Sequence, residues 1–248
     1  MYVDLHCHIL YNTDDGATDK NEMLKLIDAS YKDGVREMCL TPHFNHAFYG
    51  DNKANSDLAF DTLTKEAARI HPEMRFYRGN EIFYHNSCID FIKKGKCHTL
   101  NDTKYVLVDF SYNENKFTII SALKKFISNG YIPVLAHAER YHELKPFSSD
   151  FDYIKDIGAL IQVNAASVIG KNGFRQKITS LHLIKHGLCD VVASDTHNST
   201  NRTTCINEAA NLIKKRFGSD VAASLTYKNP RRILLGERII KPNSDRSY

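Results

Sequence analysis

Residues 2–8 have the sequence YVDLHCH, which is typical of a buried β-strand with polar side chains at every second position. Successive side chains of a β-strand point to opposite faces of a sheet, so Asp4, His6 and His8 are predicted to share one face. A buried strand with three polar side chains on one face needs polar partners from other parts of the chain. The rest of the sequence supplies such partners at the ends of similar runs.

Short β-rich runs recur along the chain, and segments with helical periodicity lie between them. Strands that alternate with helices predict the α/β class with a parallel sheet, and right-handed crossovers favour a closed barrel. An open, doubly wound sheet is the alternative. The seven predicted strands are Tyr2–His8, Arg36–His43, Arg75–Tyr84, Tyr105–Phe110, Ile132–Ala138, Ala159–Ala165 and Asp190–His197.

The first predicted helix is capped by Thr18, carries Met23 and Ile27 on one face, and ends near Gly34. A last helical cap is predicted from Ser219 to Leu235. The other predicted helices are Ser56–Ile70, Asn86–Lys94, Phe117–Asn129, Asp150–Asp156, Ile178–His186 and Thr200–Phe217.

The length of 248 residues suits one α/β domain that spans residues 1–248. The 33 basic and 29 acidic residues are scattered, and no basic block is interleaved with aromatic residues, so nucleic acid and membrane surfaces are not expected partners. The six cysteines form no CxxC pair, the N-terminus lacks signal-peptide features, and no run is long enough to span a bilayer. We therefore expect a cytoplasmic protein with reduced thiols, whose oligomeric state the sequence does not determine.

Imidazole and carboxylate side chains collect at the predicted strand ends. The carboxyl ends of parallel strands meet on one face, so these side chains are expected to converge, and they suit Zn²⁺, Mn²⁺ or Fe²⁺. Because they are too many for one ion, a cluster bridged by Glu81 is predicted. One such histidine alone is more often an ordinary core residue, but burying the whole set without metal would be costly. The set is His6, His8, His43, Glu81, Asp109, His137, Asp195 and His197.

Two arginines and two aspartates lie beside this set. Arg140 follows His137 in AHAER, and Arg202 follows the last predicted strand, so each could bind phosphate oxygens in a bidentate manner. A solvated loop arginine is the alternative for each. Asp14 and Asp15 form a DDG turn, which by itself is more often solvated than ligating.

The motifs DLHCH, DDGA, TPH, GNE, AHAERY and SDTHN resemble the PHP (polymerase and histidinol phosphatase) superfamily. More closely, the chain resembles the CpsB/CapC-type protein-tyrosine phosphatases of capsular and exopolysaccharide operons, from HCHIL to the closing NPRRILLGE. The resemblance implies a distorted (β/α)7 barrel with its metal site at the C-terminal ends of the strands. It also implies three divalent cations, usually assigned as Mn²⁺, with Fe, Zn or Mg as other possibilities.

The same resemblance implies a distribution of ligands. His6, His8, Glu81 and Asp195 would hold the first ion, and Glu81, Asp109 and His137 the second. The third would be held by Asp15, His43 and His197, which makes Asp15 a ligand rather than a turn residue. Arg140 and Arg202 match the arginines that bind the substrate phosphate. The chain departs from the pattern at Asp109, where relatives carry Glu, and in FNHAFYG after TPH.

The expected function is hydrolysis of phosphotyrosine in a segment of a bacterial tyrosine kinase, with inorganic phosphate as product. Two alternatives remain open at this point. One is a small-molecule phosphatase of the histidinol-phosphate type. The other is a catalytically weak, metal-binding regulator that captures phosphorylated partners.

Overall fold

The computed structural model describes residues 1–50 and 52–239. Within them the fold is α/β: the strand pairs are parallel and the strands form a curled sheet packed against helices. The α/β class and the parallel sheet are therefore confirmed. The strands are β1 (Tyr2–Asp4), β2 (Val35–Leu40), β3 (His43–Phe44), β4 (Arg75–Arg78), β5 (Glu81–Phe83), β6 (Tyr105–Asp109), β7 (Ile132–Leu135), β8 (Leu160–Asn164) and β9 (Val191–Ala193).

The prediction of seven strands differs from this set because two predicted strands are each divided in two. Pro42 interrupts the second one, since proline has no N–H for a ladder bond, and β3 continues beyond it. The third is interrupted at Gly79, where an added Cβ would lie 2.8 Å from Cys39 Sγ, so this segment packs closely against β2. The strand order is β1-β2-β4 in one part of the sheet and β3-β5-β6-β7-β8-β9 in the other.

The two ends of this order meet through the segments that follow β1 and β9. His8 N donates a hydrogen bond to Thr196 O (2.7 Å), and Asp195 N donates one to His6 O (2.8 Å). A parallel bridge joins Cys7 to Thr196. The residues just beyond the first and last strands are thereby held side by side.

Most predicted helices are present with shifted ends. The first is capped by Asp19 instead of Thr18: its side chain accepts a hydrogen bond from Glu22 N. The region Ser219–Leu235 is helical as predicted, whereas the short helices His46–Tyr49 and Ala165–Ile169 were not predicted. The α-helices are α1 (Lys20–Lys32), α2 (His46–Tyr49), α3 (Lys53–Ile70), α4 (Cys88–Lys93), α5 (Lys116–Ser128), α6 (Asp150–Asp156), α7 (Ala165–Ile169), α8 (Phe174–Lys185), α9 (Ile206–Phe217), α10 (Ser219–Ala223) and α11 (Asn229–Leu234).

Buried apolar side chains cover both faces of the sheet. One cluster packs helices against the strands, and a smaller one includes Leu107, Val134 and Val191. Val106 and Leu107 belong to different clusters, as alternation along β6 requires, and Asp109 therefore shares the face of Leu107. The smaller cluster is thus continued by polar residues at the ends of the strands.

The six cysteines are buried and form no disulfide. No helix in the described parts of the chain is both long and apolar enough to cross a bilayer. The predicted domain 1–248 includes residue 51 and residues 240–248, which lie outside the described residues.

Candidate metal centre

The two histidines that follow β1 point their Nε2 atoms at each other across 3.1 Å, and both residues are fully buried. The His6 Nδ1 atom lies 3.1 Å from Gln162 Oε1, which also accepts a hydrogen bond from His137 N. Since a backbone N–H can only donate, this atom of Gln162 is the oxygen, and the His6 Nδ1 atom must carry a proton.

His8 is fixed in the same way. Its Nδ1 atom lies 2.7 Å from Asp14 Oδ2, which also accepts a hydrogen bond from His43 N (2.8 Å). Because the Nδ1 atoms of both histidines donate outward, both Nε2 atoms are directed inward, as in metal-binding histidines whose second nitrogen is held by an acceptor.

Two buried carboxylates face these Nε2 atoms. Glu81 Oε1 lies 3.3 Å from His6 Nε2, and Glu81 Oε2 lies 3.3 Å from His8 Nε2. Asp195 Oδ1 lies 3.6 Å from both nitrogens. Among the described residues, Glu81 Oε2 is buried and accepts no hydrogen bond of good geometry. At these separations the lone pairs of the two nitrogens and of the carboxylate oxygens repel one another. Positive charge between them is therefore required.

The pKa shifts express the same requirement. Burial alone would lower the pKa of His6, but Glu81 and Asp195 raise it to about 9. Burial would likewise lower the pKa of His43, but Glu81 raises it to about 10. The carboxylates therefore favour protons on these two imidazoles. The donor set is one that Mn²⁺, Fe²⁺ or Zn²⁺ can use in place of these protons, so the residues fit a divalent metal.

A second cluster is formed at the DDG turn. Asp15 Oδ1 lies 3.4 Å from His43 Nε2 and 3.4 Å from His197 Nε2, and His8 joins these three residues within ligand distance of one another. His197 Nδ1 lies 2.9 Å from the backbone oxygen of Asp195, so its Nε2 atom faces the cluster. Burial and the neighbouring His8 lower the pKa of His197 to about 4, which favours the neutral, ligating form.

The third group differs from the predicted second ion. The structure brings together His43, Glu81 and Asp109, whereas the prediction joined Glu81 and Asp109 with His137. The Nε2 atom of His137 nevertheless lies 2.9 Å from Glu81 Oε1 and 3.6 Å from Asp109 Oδ1. The orientation of the short Asp109 side chain is fixed by two hydrogen bonds, which its Oδ1 atom accepts from Phe110 N (2.6 Å) and Tyr141 Oη (3.0 Å).

Two of the predicted ligands lie in backbone conformations that non-glycine residues rarely adopt. The φ angle is +31° at His137 and +55° at Asp195. Such conformations cost about 1–3 kcal/mol each and persist where surrounding contacts hold them, often at functional sites. Here the hydrogen bond from Asn164 Nδ2 to Asp195 Oδ2 (2.7 Å) and that from His137 N to Gln162 provide such contacts.

The two predicted phosphate-binding arginines converge on the same carboxylate. Arg140 Nη1 lies 3.3 Å from Asp195 Oδ2, and Arg202 Nη2 lies 3.3 Å from Asp195 Oδ1. Both line a cavity of about 340 Å³ whose wall includes Asp195. Two guanidinium groups beside the candidate metal ligands are an arrangement with which proteins bind anions that carry several oxygens.

Some residues that hydrogen-bond the candidate ligands were not predicted to have this role. Asp14 is buried and holds His8, while its Oδ1 atom accepts a hydrogen bond from Gly16 N (3.0 Å). A Cβ on Gly16 would lie 2.0 Å from His8 O. The turn therefore packs directly against the backbone of His8 and requires glycine. The DDG motif gave a signal for this turn, and Asn164 is a polar residue at the end of the sixth predicted strand, whereas nothing in the local sequence distinguished Gln162.

The protein is of the α/β class in which histidines and carboxylates at the ends of parallel strands lie close together as candidate ligands for divalent cations. Within this class the chain belongs to the CpsB/CapC family, because the family model described as "Capsular polysaccharide synthesis, CpsB/CapC" matches residues 2–235. The resemblance drawn from the sequence motifs is therefore confirmed.

Individual relatives agree with this assignment. The chain is 32% identical over 239 residues to the tyrosine-protein phosphatase YwqE of Bacillus subtilis (strain 168), covering 96% of this chain and 94% of the relative. It is 28% identical over 242 residues to the tyrosine-protein phosphatase CpsB of Streptococcus pneumoniae, covering 96% and 100%. A solved structure described as YwqE from B. subtilis and CpsB from S. pneumoniae, "unique metal-dependent tyrosine phosphatases", matches with a TM-score of 0.90 and 31% identity over 96% of each chain.

Proposed function

We propose that this protein is a metal-dependent protein-tyrosine phosphatase, a phosphomonoester hydrolase that releases inorganic phosphate. The observation that carries the proposal is the approach of Arg140 and Arg202 to Asp195, beside the Nε2 atoms of His6 and His8. Phosphate oxygens would meet two guanidinium groups on one side and the metal ligands on the other. The names of the similar proteins from B. subtilis and S. pneumoniae support the same activity.

We further propose three cations, most simply Mn²⁺, held by the predicted ligands of the three clusters. When bound, the cations would supply Lewis-acid stabilisation of phosphoryl charge and an activated water for attack on phosphorus. Arg140 and Arg202 bind the phosphate and stabilise the charge that develops on its oxygens. Asp14 and Gln162 hold the rings of His8 and His6 in the ligating orientation.

The natural substrate we propose is a phosphotyrosine segment of a bacterial tyrosine kinase that acts in capsule or exopolysaccharide synthesis. A phenolate leaves more readily than an alkoxide, so the site has less need for a general acid, and none is assigned. We also propose that the chain is a single cytoplasmic domain and that its curled sheet closes as a distorted (β/α)7 barrel. The hydrogen bonds between the segments after β1 and β9 support closure.

The test compares phosphate release from a phosphotyrosine peptide, a phosphoserine peptide and histidinol phosphate by Mn²⁺-loaded protein. We expect the phosphotyrosine peptide to have the highest kcat/KM. A preference for histidinol phosphate would overturn the proposed substrate class, and activity that survives thorough chelation would overturn metal dependence.

One observation favours a second candidate, the catalytically weak regulator. Asp109 Oδ1 is committed to Phe110 and Tyr141, which reduces what it can offer to a metal. Tight binding of the phosphotyrosine peptide without phosphate release would favour this alternative. The Asp109→Glu variant provides a matched comparison, since it keeps the charge and lengthens the side chain by one methylene group.

A further inference from the structure

The metal centre is bracketed by two tyrosines. Ring-to-ring contacts run from Tyr49 to His43 (centroids 6.0 Å apart), then through His8 and His6 to His137, and from His137 to Tyr112 (6.1 Å). The proposed chemistry uses the histidines of this series. The tyrosines at its two ends have no role in it.

Tyr112 lies at the end that binds phosphate. The Arg140 guanidinium carbon lies 4.3 Å from the centre of the Tyr112 ring, and the His137 ring meets it nearly edge-on at 77°. Tyr112 therefore contacts both a candidate metal ligand and a phosphate-binding arginine. The ester group of a phosphate bound by Arg140 would therefore lie near the Tyr112 ring.

The position of Tyr112 is fixed although its side chain reaches solvent. Its backbone oxygen accepts a hydrogen bond from His142 N (2.9 Å), and Tyr141 Oη binds Phe110 N two residues earlier (3.1 Å). The residue is 43% exposed, so part of its ring is open to solvent. An anchored, half-exposed ring at the mouth of a phosphate site provides a surface on which another ring can stack.

We propose that Tyr112 forms the wall of a subsite for the aromatic ring of the substrate, so that it favours aryl over alkyl phosphate esters. The inference rests on the proposed phosphatase function and adds a specificity-determining residue to it. The Tyr112 ring supplies the contact, and its hydroxyl is not required. Its contact with Arg140 holds that guanidinium for all phosphate ligands, whereas ring stacking assists only those that carry an aryl group.

The test uses two non-hydrolysable ligands, phenylphosphonate and methylphosphonate, and measures their Kd values for Mn²⁺-loaded protein by calorimetry. The ratio of the two Kd values isolates the ring, because effects on phosphate binding and on metal content cancel. We expect phenylphosphonate to bind more tightly to the original protein. The ratio should fall about threefold to tenfold in Tyr112→Ala and be retained in Tyr112→Phe.

Tyr49→Ala is the matched control, since it removes the same side chain from the opposite end of the ring series. It should leave the ratio unchanged. An unchanged ratio in Tyr112→Ala, or an equal fall in Tyr49→Ala, would overturn the proposed subsite. Methylphosphonate binding shows whether each variant retains its site. Because the readout is binding, failure of the subsite is distinguishable from failure of the phosphatase proposal, which would appear as absent phosphotyrosine hydrolysis.

Discussion

Replacing Asp14 with asparagine is expected to weaken metal binding about 10- to 100-fold, the usual cost of removing the partner of a metal-binding histidine. The carboxylate accepts three hydrogen bonds: from His8 Nδ1, His43 N and Gly16 N. Asparagine has one oxygen, so it can keep the two bonds to Oδ2 only by turning its NH₂ group towards Gly16 N–H. The change therefore loses one hydrogen bond, opposes two donors and removes the charge that holds the His8 ring.

The loss of metal affinity corresponds to about 1.4–2.8 kcal/mol. The unfolding free energy should fall by about 1–3 kcal/mol, because a buried donor is left unpaired. The assay is a chelator competition that yields the Kd for Mn²⁺, together with phosphatase rate as a function of Mn²⁺ concentration. Saturating Mn²⁺ should restore most of the rate.

Asp19→Asn is the matched control, because Asp19 caps α1 at the surface and asparagine caps equally well. An unchanged Mn²⁺ Kd in Asp14→Asn would refute the role assigned to Asp14. An equal loss in Asp19→Asn would show that general negative charge, rather than the His8 contact, sets the affinity.

Three further outcomes are expected. Chelation should abolish phosphotyrosine hydrolysis and lower the melting temperature, and Mn²⁺ should restore both; activity that persists would contradict the metal ligands. Arg140→Ala should raise KM for a phosphotyrosine peptide about 10-fold or more, as loss of a charge-assisted hydrogen bond predicts, while Arg216→Ala on α9 should not. Burial raises the pKa of Glu139, although the Ser167 hydroxyl opposes this, so Glu139 contributes stability at low pH that is lost as pH rises through its folded-state pKa. Glu139→Gln stays neutral and should therefore gain thermal stability relative to the original protein as the pH rises above 4.5, the ordinary pKa of a glutamate, and a pH-independent difference would refute this.

The sequence contained most of the fold because its strands are short, apolar and separated by helical periodicity. Where the prediction failed, the cause is mostly tertiary. The division of a predicted strand at Gly79 depends on the approach of Cys39 from another strand, whereas Pro42 by itself was a local signal for the division of residues 36–43. Thr18 and Asp19 are both good caps, and the choice between them depends on which side chain reaches Glu22 N.

The candidate ligands were predictable because each follows or begins a strand segment, and parallel strands bring these points together. How these ligands divide among ions stays a prediction, because it depends on side-chain reach and on partners from distant segments. Asp109 illustrates this: its Oδ1 atom accepts hydrogen bonds from Phe110 and Tyr141, and the residue lies close to His43 as well as 3.6 Å from His137 Nε2. The buried state of Asp14 likewise depends on contacts with His8 and His43 that the DDG turn alone does not specify.

The hydrogen bonds between the segments that follow β1 and β9 have a consequence for biosynthesis. His6 and His8 leave the ribosome before Asp195 and His197, which lie much further along the chain. A nascent chain therefore lacks the full set of candidate metal ligands until its later strands have been released and have joined the earlier ones. Metal loading should accompany the final stage of folding, and a chain that ends before Asp195 should acquire no stable centre.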